Sequence, residues 1–150
     1  MTGNLFHRIV VPTDFSECAE EAWALARRIA GAVGSEIVLV HVFVDPPLYG
    51  EAPLTPAATW QVFEEARQWV ENELDKWTAA ARSKGIAARK AVRTGSPPQQ
   101  IIEVVADEHA DLVVIGTHGR GGVSRALLGS VADRVVRMAS CPVLTVRKSD

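Results

Sequence analysis

Gly116-Thr117-His118-Gly119 and Gly129-Ser130 together make a G-x2-G-x9-G-S spacing that begins where a short apolar run stops. That run, Asp111-Leu112-Val113-Val114-Ile115, reads as a strand buried on both faces. Glycine at its exit lets the backbone turn with positive φ, or lets another backbone or a ligand come close. Ser130 opens a segment of helical periodicity that runs to Met138, and Ser130 with Asp133 has the S-x-x-D form of a helix start. Ser130 is therefore expected to be the N-cap, with first-turn N–H groups and the positive helix end aimed at the strand exit. Such a site suits an anion, above all a phosphate chain.

Other chemistries find no support. There is no G-x4-G-K-[S/T], and Gly119-x-Gly121-Gly122 lacks the third glycine of a dinucleotide fingerprint and follows the fourth strand. Gly122-Val123-Ser124-Arg125-Ala126 misses the last glycine of a nucleophile elbow. His7, His41, His109 and His118 show no metal-ligand spacing, and His41 reads as a packed strand histidine. No metal site built from side chains is expected. No general base is assigned, so enzymatic activity is expected to amount at most to slow hydrolysis of a phosphate-bearing ligand.

The elements that must hold this loop alternate along the chain. Strands are expected at Ile9–Val11, Ile37–Val44, Ala87–Arg93, Asp111–Ile115 and Pro142–Val146. Between them lie helices that start at Ser16, Thr55-Pro56, Ser96-Pro97-Pro98-Gln99 (an N-cap with a capping-box Gln) and Ser130. Gly34 and Gly85 supply stops, and Phe63, Ala66, Val70, Trp77 and Ala81 share one face of the long second helix. Asp45 to Thr55 reads as an irregular loop. Five strands alternating with four helices imply an α/β fold with a mainly parallel sheet covered on both faces. Ligands of such sheets sit beyond the carboxyl ends of strands. Pro12-Thr13-Asp14 and Gly116-Thr117-His118-Gly119 flank one crevice if the first and fourth strands are neighbours.

The 150 residues match one domain, residues 1–150, and 47% apolar with 23% charged residues favours a packed core. A net charge of −2 argues against a nucleic-acid binder. Cys18 and Cys141 are isolated, no apolar run approaches membrane-spanning length, and the amino terminus has no signal pattern, so a cytoplasmic protein is expected.

The G-x2-G-x9-G-S spacing resembles the nucleotide-binding signature of universal stress proteins. Ile9-Val10-Val11-Pro12-Thr13-Asp14-Phe15-Ser16 resembles their first strand and helix start, His41-Val42 the end of their second strand, and Ser140 to Val146 their closing strand. The resemblance implies an adenine nucleotide alpha hydrolase-like sheet of order 3-2-1-4-5. It also implies ATP as ligand, Mg²⁺ with the phosphates, a regulatory stress-response role, and a homodimer through Val143, Leu144, Thr145 and Val146. By the same resemblance Pro12 and Thr13 wall the purine pocket, Asp14 lies at the ribose, and the Val42 backbone meets the adenine edge. Gly116, Gly119 and Gly129 admit ribose and phosphates, Ser130 and Val131 add N–H groups, and His118 and Arg120 touch phosphate oxygens. Two alternatives keep the fold: a nucleotide-independent dimeric interaction or chaperone-like module, and a phosphoryl- or adenylyl-transfer enzyme.

Overall fold

The computed structural model describes residues 3–44, 56–118 and 127–149. Its strands are β1 (Arg8–Pro12), β2 (Glu36–Phe43), β3 (Ala88–Thr94), β4 (Leu112–Gly116) and β5 (Val143–Val146). Its helices are α1 (Glu17–Val33), α2 (Pro56–Arg82), α3 (Pro97–Asp107) and α4 (Ser130–Met138), in the alternation that the sequence predicts. All four strand pairings are parallel, and the order across the sheet is β3-β2-β1-β4-β5. The Asp45–Thr55 loop lies outside the described residues.

Side chains alternate across β2 and so build two cores. Ile37 and Leu39 join Ile9, Val11, Leu112 and Val114 beneath α1 and α2. Val38 and Val40 join Val10, Val113 and Ile115 beneath α3 and α4. Each fully buried aliphatic side chain contributes about 1.5–3 kcal/mol, which explains why the central strands read as unbroken apolar runs. β3 and β5 are the edges.

Helix ends follow the sequence in part. Ser16 Oγ accepts the Ala19 N–H at 3.3 Å, and Gly34 stops α1 at φ 78°. At α3, Ser96 holds the N-cap position without a side-chain bond. The expected capping box is absent, because Gln99 donates instead to Glu103 at 3.2 Å. On α2, Leu74 and Thr78 are buried with Val70 and Ala81, whereas Ala66 is exposed. Among the described residues of α2 burial begins at Val70, so its apolar face meets the core from there on.

The amino ends of the strands are held by charge. The Asp111 carboxylate accepts the His7 and Arg8 N–H groups at 2.8 and 3.0 Å. Glu36 pairs with Arg8 and Arg89, both at 2.9 Å, and Arg89 makes a two-pronged pair with Glu108. The carboxyl ends open into the site.

Candidate functional site

β1 pairs with β2 on one side and β4 on the other, so the connections leaving β1 and β4 diverge at the carboxyl edge. This is the switch point at which open α/β sheets hold ligands. A cavity of about 900 Å³ lies there. Pro12, Thr13 and Asp14 line it from β1, and Val42 from β2. Gly116 and His118 line it from β4, with Gly129, Ser130 and Val131 from the start of α4. The structure thus brings together nine of the residues singled out in the sequence. Gly119 and Arg120 lie outside the described residues.

The turn after β1 is fixed by its own polar groups. The Thr13 N–H donates to the Val40 carbonyl at 2.8 Å, the last rung between β1 and β2. The Phe15 N–H donates to Thr13 Oγ1 at 3.0 Å, and the Ser16 N–H to the Asp14 carboxylate at 2.9 Å. Phe15 sits between them at φ 61°, a left-handed conformation that costs an ordinary side chain about 1–2 kcal/mol. Its ring is held by packing: Trp69 at 5.1 Å, and His41 and Trp77 each at 5.4 Å between centroids. His41 also has Nδ1 2.9 Å from the Thr13 carbonyl oxygen and packs on Phe43, as its reading as a packed strand residue anticipates.

Val42 owes its place to β-sheet alternation. Even-numbered residues of β2 bond towards β1, as the Glu36 N–H does to His7, and odd ones towards β3, as the Ile37 N–H does to Ala87. Val42 is even and lies past the last rung, so its N–H and C=O face the cavity where β1 has already turned away.

At the β4 exit the glycines admit a close neighbouring backbone, as expected, but do not use a positive φ. Gly116 is not at positive φ. A Cβ there would stand 2.8 Å from both the carbonyl carbon and the Cβ of Cys18, so glycine is needed to seat β4 against the first turn of α1. Gly129 has φ −60° and ψ 157°, donates to the Thr117 carbonyl at 2.6 Å, and would place a Cβ 2.9 Å from that oxygen. Both glycines clamp α1, β4 and α4 together around the cavity.

Gly129 takes the N-cap of α4 and Ser130 is the first helical residue, which corrects the expectation for Ser130. The cause is Gly129's extended backbone, which already accepts the Asp133 N–H at 2.9 Å. Asp133 closes no capping box, because its carboxylate pairs with Arg137 at 3.1 Å. The N–H groups of Ser130, Val131 and Ala132 thus have no partner within the helix, and no side chain caps them among the described residues.

The other helix starts at the cavity are unsuited to an anion. α1 carries Ser16 as cap with Glu17 and Glu20 in its first turn, and α3 begins with Pro97 and Pro98, which have no N–H. Beside α4, His118 has Nδ1 3.0 Å from Thr117 Oγ1, while its Nε2 is buried without a partner. Cys141 stands apart from the cavity, and burial and the nearby Asp111 charge push its thiol pKa up, as suits an inert cysteine.

The sequence reading missed the aromatic and apolar wall. Phe15, Ala66 and Trp69 line the α2 side of the cavity and Pro97 and Ile101 the α3 side. The available signals were Phe15 beside Asp14 and the i, i+3 pair of Ala66 and Trp69. Among the described residues no helix is long and apolar enough to cross a membrane.

Residues 5–147 match the model of the universal stress protein family. Universal stress protein MJ0531 of Methanocaldococcus jannaschii is 36% identical over 146 residues, covering 97% of this chain and 84% of that protein. The structure of MJ0577 from the same organism overlays with a TM-score of 0.83 at 24% identity, covering 97% of this chain and 99% of the other. A universal stress protein solved in complex with cAMP overlays with a TM-score of 0.68 at 24% identity, covering 96% and 98%. The chain belongs to the universal stress protein family.

Proposed function

We propose that the cavity at the strand ends binds an adenine nucleotide, ATP foremost, and that this binding serves a regulatory role in stress response rather than turnover. One observation carries the proposal: the first three N–H groups of a helix and the backbone edge of Val42, which have no partner among the described residues, open into the same cavity. The first suits a phosphate chain and the second a base edge read without a charged side chain. The related protein solved with cAMP supports an adenine nucleotide as the ligand class. Asp14 would meet the ribose hydroxyls, Ser130 and Val131 the phosphates, and the buried Nε2 of His118 a phosphate oxygen. Gly119 and Arg120 belong to the same loop by sequence. Mg²⁺ would enter with the phosphates. Two isolated free cysteines fit a reducing cytoplasm.

Calorimetric titration of ATP into the purified protein tests the reading. Micromolar affinity, about −8 kcal/mol, is expected, and no saturable uptake at millimolar ATP refutes it. We also propose a homodimer through β5, whose outer edge is open and whose Leu144 is 37% exposed. Leu144→Arg should then yield a monomer in sedimentation velocity; a wild-type monomer at tens of micromolar refutes this.

A further inference from the structure

The cavity wraps around the end of β2 onto both faces of the sheet. His41 and Phe43 line it on the face covered by α1 and α2, and Val40 and Val42 on the face covered by α3 and α4. A phosphate chain at the α4 tip needs only the β4 side. Neighbouring strands lie about 4.8 Å apart, so the exposed edge of Val42 is roughly 10 Å across the sheet from the β4 exit. That separation suits a nucleotide stretched from phosphates to base.

A planar base that bonds edge-on to Val42 N–H and C=O continues the sheet as a further strand would. Its two faces then point towards the two helical layers. On one side stands Pro97 at the start of α3. On the other stands Trp69 of α2, whose ring centroid lies 5.1 Å from that of Phe15 with the planes at 75°, and which leaves 49% of its surface exposed. A tryptophan half in water beside a cavity, already packed against Phe15, offers an aromatic surface at little further entropic cost.

We propose that Trp69 is a base-stacking residue of this site, closing the α2 face over a base held at Val42. The inference rests on the nucleotide reading above. Stacking on tryptophan acts on the base and not on the phosphates, and it raises affinity for any large flat base. Phe15 sets the position of Trp69, tying the turn after β1 to α2.

The test compares wild type, Trp69→Ala and Trp69→Phe with ATP and AMP, by calorimetry and by intrinsic fluorescence. Trp69→Ala should weaken ATP and AMP by the same factor, about ten. Trp69→Phe should keep affinity within about threefold while abolishing the nucleotide-induced fluorescence change. Trp69→Ala binding ATP within about twofold of wild type overturns the stacking role and leaves the nucleotide site standing. A loss larger for ATP than for AMP, or a fluorescence change that persists in Trp69→Phe, also overturns it. A wild-type chain that takes up neither nucleotide removes both readings.

Discussion

Gly116→Ala separates two roles for the glycine at the β4 exit. The added Cβ would stand 2.8 Å from two atoms of Cys18 and 2.9 Å from its carbonyl oxygen. None of these can swing aside, because two belong to the α1 backbone and the third is a Cβ fixed to it. Either α1 lifts off β4 or the strand exit bends. Overpacking of this kind costs about 1–3 kcal/mol. At about 2–4 °C per kcal/mol for a chain of this size, Tm falls by roughly 6 °C in mid-range. Urea unfolding without nucleotide, followed by tryptophan fluorescence, measures the loss directly. A variant within about 0.5 kcal/mol of wild type refutes the packing role. Gly116 would then be kept for ligand approach alone, and the loss would show only in binding.

Ser130 gives the converse result. Because Gly129 is the N-cap, Ser130→Ala should change stability by less than about 0.5 kcal/mol in the same unfolding assay. A true cap would cost about 1 kcal/mol. ATP affinity of the variant should nevertheless fall, since Ser130 lines the cavity. The charge network at the amino ends predicts a pH dependence. Burial works to raise the Glu36 pKa, but hydrogen bonds from Arg89 and Arg8 outweigh it and hold the carboxyl below its ordinary 4.5. The hydrogen bond from Arg89 likewise lowers Glu108 from 4.5. Groups with depressed folded pKa values stabilise the fold above the unfolded value, and that contribution fades as pH drops through the folded values. Arg89→Gln should therefore cost about 1 kcal/mol at pH 7 and progressively less below pH 4.5 in urea melts, because these pairs are partly exposed. An undiminished cost at pH 3 refutes the network's role.

Much of the fold was legible because the central strands are covered on both faces and read as unbroken apolar runs. Val38, Val40, Val113 and Val114 are examples. Strand order came from the fold type, since no residue pattern specifies that β1 lies between β2 and β4. Ser130 and Asp133 carry a capping signature, yet the cap fell to Gly129, because the N-cap is set by backbone dihedrals that a sequence pattern does not contain. Gly116 is compatible with a positive φ, a close helix or a close ligand, and only the placement of Cys18 selects the helix.

The three tryptophans of α2 have different surroundings. At about 100° per residue, nine residues from Trp60 to Trp69 turn by about 180°, and eight more to Trp77 by about 80°. Trp77 packs with Trp23 in the core, Trp69 borders the cavity, and Trp60 is 69% exposed. The Ala66–Trp69 spacing alone does not separate a cavity wall from core or rim packing, because both leave the same mark.

The two borders of the sheet are unlike. Along β3, Lys90 reaches Glu71 and Asp75 at 2.6 and 2.7 Å, Arg93 reaches Asp107 at 3.2 Å, and Arg89 holds Glu36 and Glu108. Charged side chains tethered to both helical layers fence that border against a foreign strand. Copies that met β3 to β5 would leave a free β3 and a free β5 after every addition, the geometry of an endless fibre. If the proposed dimer forms, pairing at β5 with β3 fenced would use up the unfenced border of the described sheet on each molecule and stop at two.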